Sequence, residues 1–203
     1  MKGKGTILQP VFYGRNDVVQ VSRDLLGKVL CTRFDGILTS GIIIETEAYC
    51  GRNDKACHAS NGTRTPRTEV MYGAPGRSYI YLCYGIHHLF NVVTNREGLA
   101  DAVLIRAIEP LDGIEHMKHR RDKKNEKILA DGPGKLSQAL RLNRTLSGCT
   151  LQKPPVWIED RSIHIPETEI ESSCRIGVDY AGDDAKREWR FTTELFCDKN
   201  GTI

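Results

Sequence analysis

Residues 42–49 of this chain alternate with the period of a β-strand. Ile44, Thr46 and Ala48 fall on one face, and Glu45, Glu47 and Tyr49 on the other, because side chains two residues apart share a face. Two carboxylates and a phenol therefore project together. A carboxylate on a buried strand is costly unless it is paired or functional, since desolvation penalises the charged form. The fold must either turn this face outward or bring it a partner. Arg106, which interrupts the apolar run of residues 102–108, is the candidate partner. From the residues alone, a structural arrangement outweighs catalysis: one glutamate paired with Arg106 and the other at an exposed edge.

Further elements follow from turn and cap signals. Asn16 or Asp17 caps a helix carrying Val18, Val19, Val21, Leu25 and Leu26 at helical spacing, with Gly27 as its stop. Residues 28–34 form a strand joined to 42–49 through the turn dipeptide Asp35-Gly36. Residues 50–78 are rich in Gly, Asn, Thr and Arg without periodicity, a long loop of the kind that is functional or disordered. Strands are expected at 79–84, 102–108, 156–158 and 189–191, and helices at 111–121 and from Gly132-Pro133-Gly134-Lys135 through Leu142. The pattern predicts a mixed α+β domain with mostly antiparallel pairing.

At 203 residues the chain suits one compact domain spanning 1–203, with no internal repeat or low-complexity linker. No apolar run approaches the roughly 18 residues of a membrane-spanning helix. The basic start Met1-Lys2-Gly3-Lys4-Gly5 leads into no signal-peptide core, so a cytoplasmic location is expected. Seven scattered cysteines without a CxxC pair argue against a disulfide framework or a zinc module. Charge is uneven: residues 1–155 carry +8 and residues 156–203 carry −5, so the basic part could face a polyanion. The run Lys118 to Lys124 could lie along phosphates, although an exposed helix end is the commoner explanation of such a run.

Tyr49, His58, Tyr79, Tyr81, Tyr84, His87 and His88 cluster within a short span. Aromatics stack on planar ligands, and histidine with glutamate can move protons or hold water. Neither Cys57-His58 nor His87-His88 presents two ligands to one ion, because neighbours on a strand point to opposite faces. A Cys57 nucleophile fails on the same ground.

At Glu45-Thr46-Glu47-Ala48-Tyr49, followed nine residues after Tyr49 by His58, the sequence resembles the alkyladenine (3-methyladenine, methylpurine) DNA glycosylase family. The likeness continues through Arg64-Thr65-Pro66-Arg67, Met71-Tyr72-Gly73-Ala74-Pro75-Gly76 and Tyr79-Ile80-Tyr81-Leu82-Cys83-Tyr84-Gly85. It takes in Asn91, the segment from Val103 to Pro110, Asp131-Gly132-Pro133-Gly134-Lys135-Leu136 and, more loosely, Arg175-Ile176-Gly177-Val178.

The resemblance implies a curved, mostly antiparallel sheet with flanking helices and a monofunctional enzyme that flips alkylated or deaminated purines out of duplex DNA and hydrolyses the N-glycosidic bond. It assigns Glu47 as the general base that activates water, with Arg106 beside it, and leaves Glu45 a structural pairing role. Tyr49, His58 and Tyr81 become walls of the base pocket, which alternation does not separate from Tyr79. Asn91 becomes a pocket residue that disfavours normal guanine, and Tyr84 an intercalating wedge. Met71 and Lys135 match DNA-contacting neighbourhoods. No metal or organic cofactor is implied, and the expected partner is damaged double-stranded DNA, bound by a monomer away from membranes. An electron-rich slot favours cationic bases by cation–π attraction. How well neutral lesions are cut is left open by the residues.

Overall fold

The structure is a computed structural model and describes residues 5–196. In chain order its elements are β1 (Thr6–Ile7), α1 (Pro10–Tyr13), α2 (Val18–Asp24), β2 (Val29–Phe34), β3 (Ile37–Tyr49), β4 (Ser78–Cys83), β5 (His87–Thr94), β6 (Asp101–Asp112), α3 (Ile114–Arg121), α4 (Pro133–Ala139), β7 (Gln152–Lys153), β8 (Val156–Asp160), β9 (Glu171–Ser173) and β10 (Arg190–Thr192). The strands form one antiparallel sheet in the order β1-β8-β2-β3-β6-β5-β4, with β7 on β8, β10 on β3 and β9 beyond β10. This is the α+β class expected from the sequence, and no helix among the described residues is long and apolar enough to cross a membrane.

Central to the sheet is β3. Asp35 and Gly36 both have positive φ (53° and 79°), as a two-residue primed turn requires. Pairing therefore resumes at once, with Phe34 opposite Ile37, and β3 starts at Ile37 rather than at residue 42. Its register against β6 shifts between Ser40 and Gly41 and twice between Ile43 and Thr46. Such bulges bend a strand and re-aim its side chains. Gly41 is needed at the first of them, because a Cβ there would lie 2.6 Å from Ile108 and 2.8 Å from the Glu109 carbonyl oxygen.

Two elements differ from the sequence expectation. Leu111 and Asp112 end β6 rather than opening a helix, since Asp112 remains paired opposite Ser40 and accepts the Ser40 hydroxyl at 2.7 Å. The strand β5 is not announced by alternation, because Leu89, Phe90, Asn91, Val92, Val93 and Thr94 are all buried. A strand covered on both faces reads as a continuous run.

Asp17 caps α2 by accepting the Gln20 N–H at 3.0 Å. On the side of β3 away from its carboxylates, Ser22 of α2 donates to the Thr46 hydroxyl at 3.0 Å, and Thr46 donates to the Ser22 carbonyl at 2.9 Å. The main core joins Leu25, Leu30, Ile43, Phe90, Ile105, Met117, Leu136 and Leu140, each side chain stabilising the fold by roughly 1.5–3 kcal/mol. A smaller cluster of Cys57, Ala59, Met71, Tyr79, Val93, Ala100 and Ala102 lies against Tyr49 and Tyr81. Cys57, Ala59 and Met71 of it come from residues 50–77, which are irregular apart from short 3-10 turns at Ser60–Gly62 and Glu69–Tyr72.

Candidate active site

The period-2 alternation of β3 survives its bulges. Glu45, Glu47 and Tyr49 share the face opposite Thr46, and there they meet Arg106 of β6. The Arg106 Nε donates to Glu45 Oε1 at 2.8 Å, while its Nη1 lies 3.3 Å from Glu47 Oε1. Neither carboxylate occupies an exposed edge, which corrects that expectation. Strand β10 covers β3 there, placing Arg190 opposite Glu47 and Thr192 opposite Glu45. Arg190 adds a second hydrogen bond to Glu45 Oε1 at 2.6 Å, so that oxygen is held between two guanidinium groups.

Glu47 is 0% exposed and is held differently. Its Oε2 accepts the Tyr49 hydroxyl at 2.7 Å, and its Oε1 accepts the Ile176 backbone N–H at 2.8 Å. Burial, and next the charge of Glu47, push the Tyr49 phenol far above its ordinary range, so it remains a donor. Burial disfavours the charged form of Arg106, but Glu47 and Glu45 outweigh it and raise its pKa above the ordinary value.

Tyr49, Arg106 and Ile176, the three groups that hold Glu47, line a cleft of about 790 Å³, and Glu47 itself lies buried behind them. Tyr49, His58 and Tyr81 line it, and so does Asn91 of β5. His58 meets the edge of Tyr81 at a centroid distance of 4.6 Å. Tyr79 and Tyr81 now separate. Tyr79 is 2% exposed, and its hydroxyl lies 2.9 Å from His58 Nδ1, while Tyr81 stands nearer the opening. Burial, reinforced by the Arg67 charge, lowers the His58 pKa to about 4. The Asn91 side-chain amide donates to the Tyr79 carbonyl at 3.1 Å and to the Leu89 carbonyl at 3.4 Å, which leaves its amide nitrogen committed to the backbone. The thiol of Cys57, pushed up to about 12 chiefly by burial, stays protonated.

At the rim, Tyr84 sits at the tip of the β4–β5 hairpin, 89% exposed and at φ 50°, followed by Gly85 at φ 71°. A non-glycine residue held at positive φ with its ring in solvent is an uncommon arrangement that clusters at functional sites. Lys135, beside Gly132 at the start of α4, lines the outer cleft and pairs with Asp131 at 3.0 Å. Met71, 1% exposed, belongs to the apolar cluster that holds Tyr79 and lines the cleft from within that cluster. The basic run after Lys118 is split: Lys118 pairs with Glu115 and Glu126, while Arg121 lines the cleft and donates to the Leu129 carbonyl.

The Ile176 N–H reaches Glu47 because the preceding residue is anchored. Arg175 forms a wholly buried pair with Asp54, donating to its two oxygens at 2.5 and 2.8 Å, and also donates to the Ala48 carbonyl at 2.8 Å. Its guanidinium lies 4.8 Å from the Tyr49 ring centroid.

With this geometry in hand, the comparisons with known proteins are specific. The family model described as Methylpurine-DNA glycosylase (MPG) matches residues 11–195. A protein of Bacillus cereus provisionally named 3-methyladenine DNA glycosylase is 46% identical over 194 residues, covering 91% of this chain and 94% of its own length. A protein of Bacillus thuringiensis with the same provisional name is 45% identical over 201 residues, covering 91% and 94%. The chain belongs to the methylpurine-DNA glycosylase family.

Membership makes it a DNA glycosylase of base excision repair. Within this glycosylase, residue patterns point to the β3 carboxylates, the aromatic walls and the hairpin tip, because each lies in a short periodic segment. They do not assign roles to Asp54, Arg67, Arg175 or Arg190. Arg67 and Arg175 stand in recognisable motifs, but their partners His58, Tyr81, Asp54 and the Ala48 carbonyl are reached only through the tertiary fold.

Proposed function

We propose that this glycosylase flips damaged purines from double-stranded DNA into the cleft and hydrolyses the N-glycosidic bond with water activated by Glu47, without lyase activity. The observation that carries the reading is the state of Glu47. It is a wholly buried carboxylate held by a phenol, a backbone amide and a guanidinium whose residues Tyr49, Ile176 and Arg106 line the aromatic cleft. A fixed negative charge there can take a proton from water and stabilise the oxocarbenium-like sugar that develops as the bond breaks. Arg106, neutralising Glu45 and lying beside Glu47, keeps the site's charge balanced and is placed to order water or sugar-phosphate. Tyr49, His58 and Tyr81 form the walls for a stacked purine, Asn91 lies against its edge, and Tyr84 is exposed at the hairpin tip where a wedge can fill the gap left in the duplex.

The substrates proposed are alkylated and deaminated purines: 3-methyladenine, 7-methylguanine, hypoxanthine and ethenoadenine. The provisional names of the Bacillus relatives support the first. Lys135 is paired with Asp131 at the outer cleft, which supports hydrolysis without an amine nucleophile. The protein is expected to act as a monomer in the cytoplasm.

The test is single-turnover base release in EDTA from duplexes carrying 7-methylguanine or hypoxanthine, comparing wild type with Glu47→Gln. Release by wild type, reduced at least 1,000-fold in a variant that still binds the duplex, is the expected result. Undiminished release by Glu47→Gln overturns the assignment of the base, and lesion binding without release by either protein points to a damage sensor.

A further inference from the structure

One cation in the cleft has no part in the chemistry above. Arg67, from the irregular segment after His58, places its guanidinium carbon 4.9 Å from the centroid of the Tyr81 ring. Its Nη2 lies 2.9 Å from His58 Nε2 and 3.2 Å from His58 Nδ1. An arginine can only donate, so the imidazole it touches must be neutral. The low pKa of His58, caused by burial and then by Arg67, agrees with that state.

The arrangement reverses the simplest expectation for an aromatic slot. Open aromatic faces attract a cationic base, but here a resident cation already lies on the Tyr81 face. A flipped base that carries its own positive charge meets a like charge beside it and competes for the same ring. A neutral purine bearing acceptors at O6 and N7 meets no like charge, and its edge can accept from the guanidinium N–H groups that His58 and Tyr79 leave free, the pairing by which arginine reads a purine edge. 7-Methylguanine is cationic and has lost its N7 acceptor to the methyl group, whereas hypoxanthine keeps both O6 and N7.

We propose that Arg67 is a specificity-determining residue of the cleft, shifting selection toward neutral O6- and N7-bearing purines and away from cationic alkylated ones. The inference rests on the glycosylase reading above and adds a ranking among its substrates. Arg67 acts on the bound base and takes no part in bond cleavage.

The experiment is single-turnover excision of hypoxanthine and of 7-methylguanine from one duplex sequence by wild type, Arg67→Met and Arg67→Lys. Methionine keeps the unbranched stem and removes both charge and donors, while lysine keeps the charge. In Arg67→Met the ratio of 7-methylguanine to hypoxanthine rates is expected to rise roughly tenfold, the scale of one such electrostatic contact. In Arg67→Lys the ratio should move less than half as far on a logarithmic scale. A parallel fall for both lesions in Arg67→Met, with a shallower salt dependence of binding, overturns the inference and makes Arg67 a phosphate contact. An unchanged ratio with unchanged rates also overturns it. Absence of base release by all three proteins refutes the glycosylase reading itself, a different failure from an unchanged ratio.

Discussion

Replacing Asp54 by alanine removes one partner of an ion pair in which both side chains are 0% exposed. Arg175 would keep the carbonyl oxygens of Ala48 and Asp184 as hydrogen-bond acceptors but lose the carboxylate paired directly with it, leaving a buried cation with only the more distant charge of Glu47. Breaking such a pair from one side costs about 3–5 kcal/mol. Asp54 also accepts the backbone N–H groups of Cys50 at 3.2 Å and Ala56 at 3.1 Å, and each orphaned donor adds about 1 kcal/mol. The sum is about 5–7 kcal/mol. For a chain of this size each kcal/mol moves the midpoint by about 2–4 °C, so thermal unfolding followed by circular dichroism should show a Tm lower by at least about 10 °C. The double variant Asp54→Leu with Arg175→Met should recover much of that loss, because an apolar pair of similar volume needs no desolvation. Activity measured well below the variant's Tm should also fall, since Arg175 precedes the Ile176 N–H that holds Glu47 and lies against the Tyr49 ring. A Tm within 3 °C of wild type for Asp54→Ala would refute the reasoning.

Two other outcomes are open to measurement. Tyr84→Ala should leave Tm within about 2 °C, because an 89% exposed ring contributes little to the core, while base release from duplex DNA falls at least tenfold; a parallel loss of Tm would make Tyr84 a folding residue. His58 should titrate near pH 4 by NMR, held down first by burial and then by Arg67. The unfolded chain takes up that proton near 6.5, so it binds more protons than the folded state between these values. The His58 contribution to stability is therefore present above pH 6.5 and is lost as pH falls toward 4; a midpoint of 6 or higher contradicts the burial argument.

Whatever depends on neighbours in sequence was readable before folding. The alternation of residues 42–49 places Glu45, Glu47 and Tyr49 on one face, Asp35-Gly36 sets a two-residue hairpin, and Asp17 caps its helix. The α+β class follows from the same local periods, and the cluster of site candidates follows from their spacing. Those signals act over two to four residues, the range over which a backbone repeats its geometry.

Relations between distant segments needed the tertiary structure. Glu47 and Glu45 are equivalent by alternation, and only the approach of Ile176 from 129 positions away and the cover of β10 give them different surroundings. Met71 and Tyr84 both sit in family-like motifs, yet one is 1% exposed and the other 89%, because exposure depends on what packs over a residue. Arg67 stands in a family-like motif that gives it no role of its own until the fold sets it on Tyr81 and against His58. Local sequence determines which way a side chain points from its own strand; the long-range register of the sheet and the packing of the irregular segments determine what it meets there, and the chemistry of this cleft lies in those meetings.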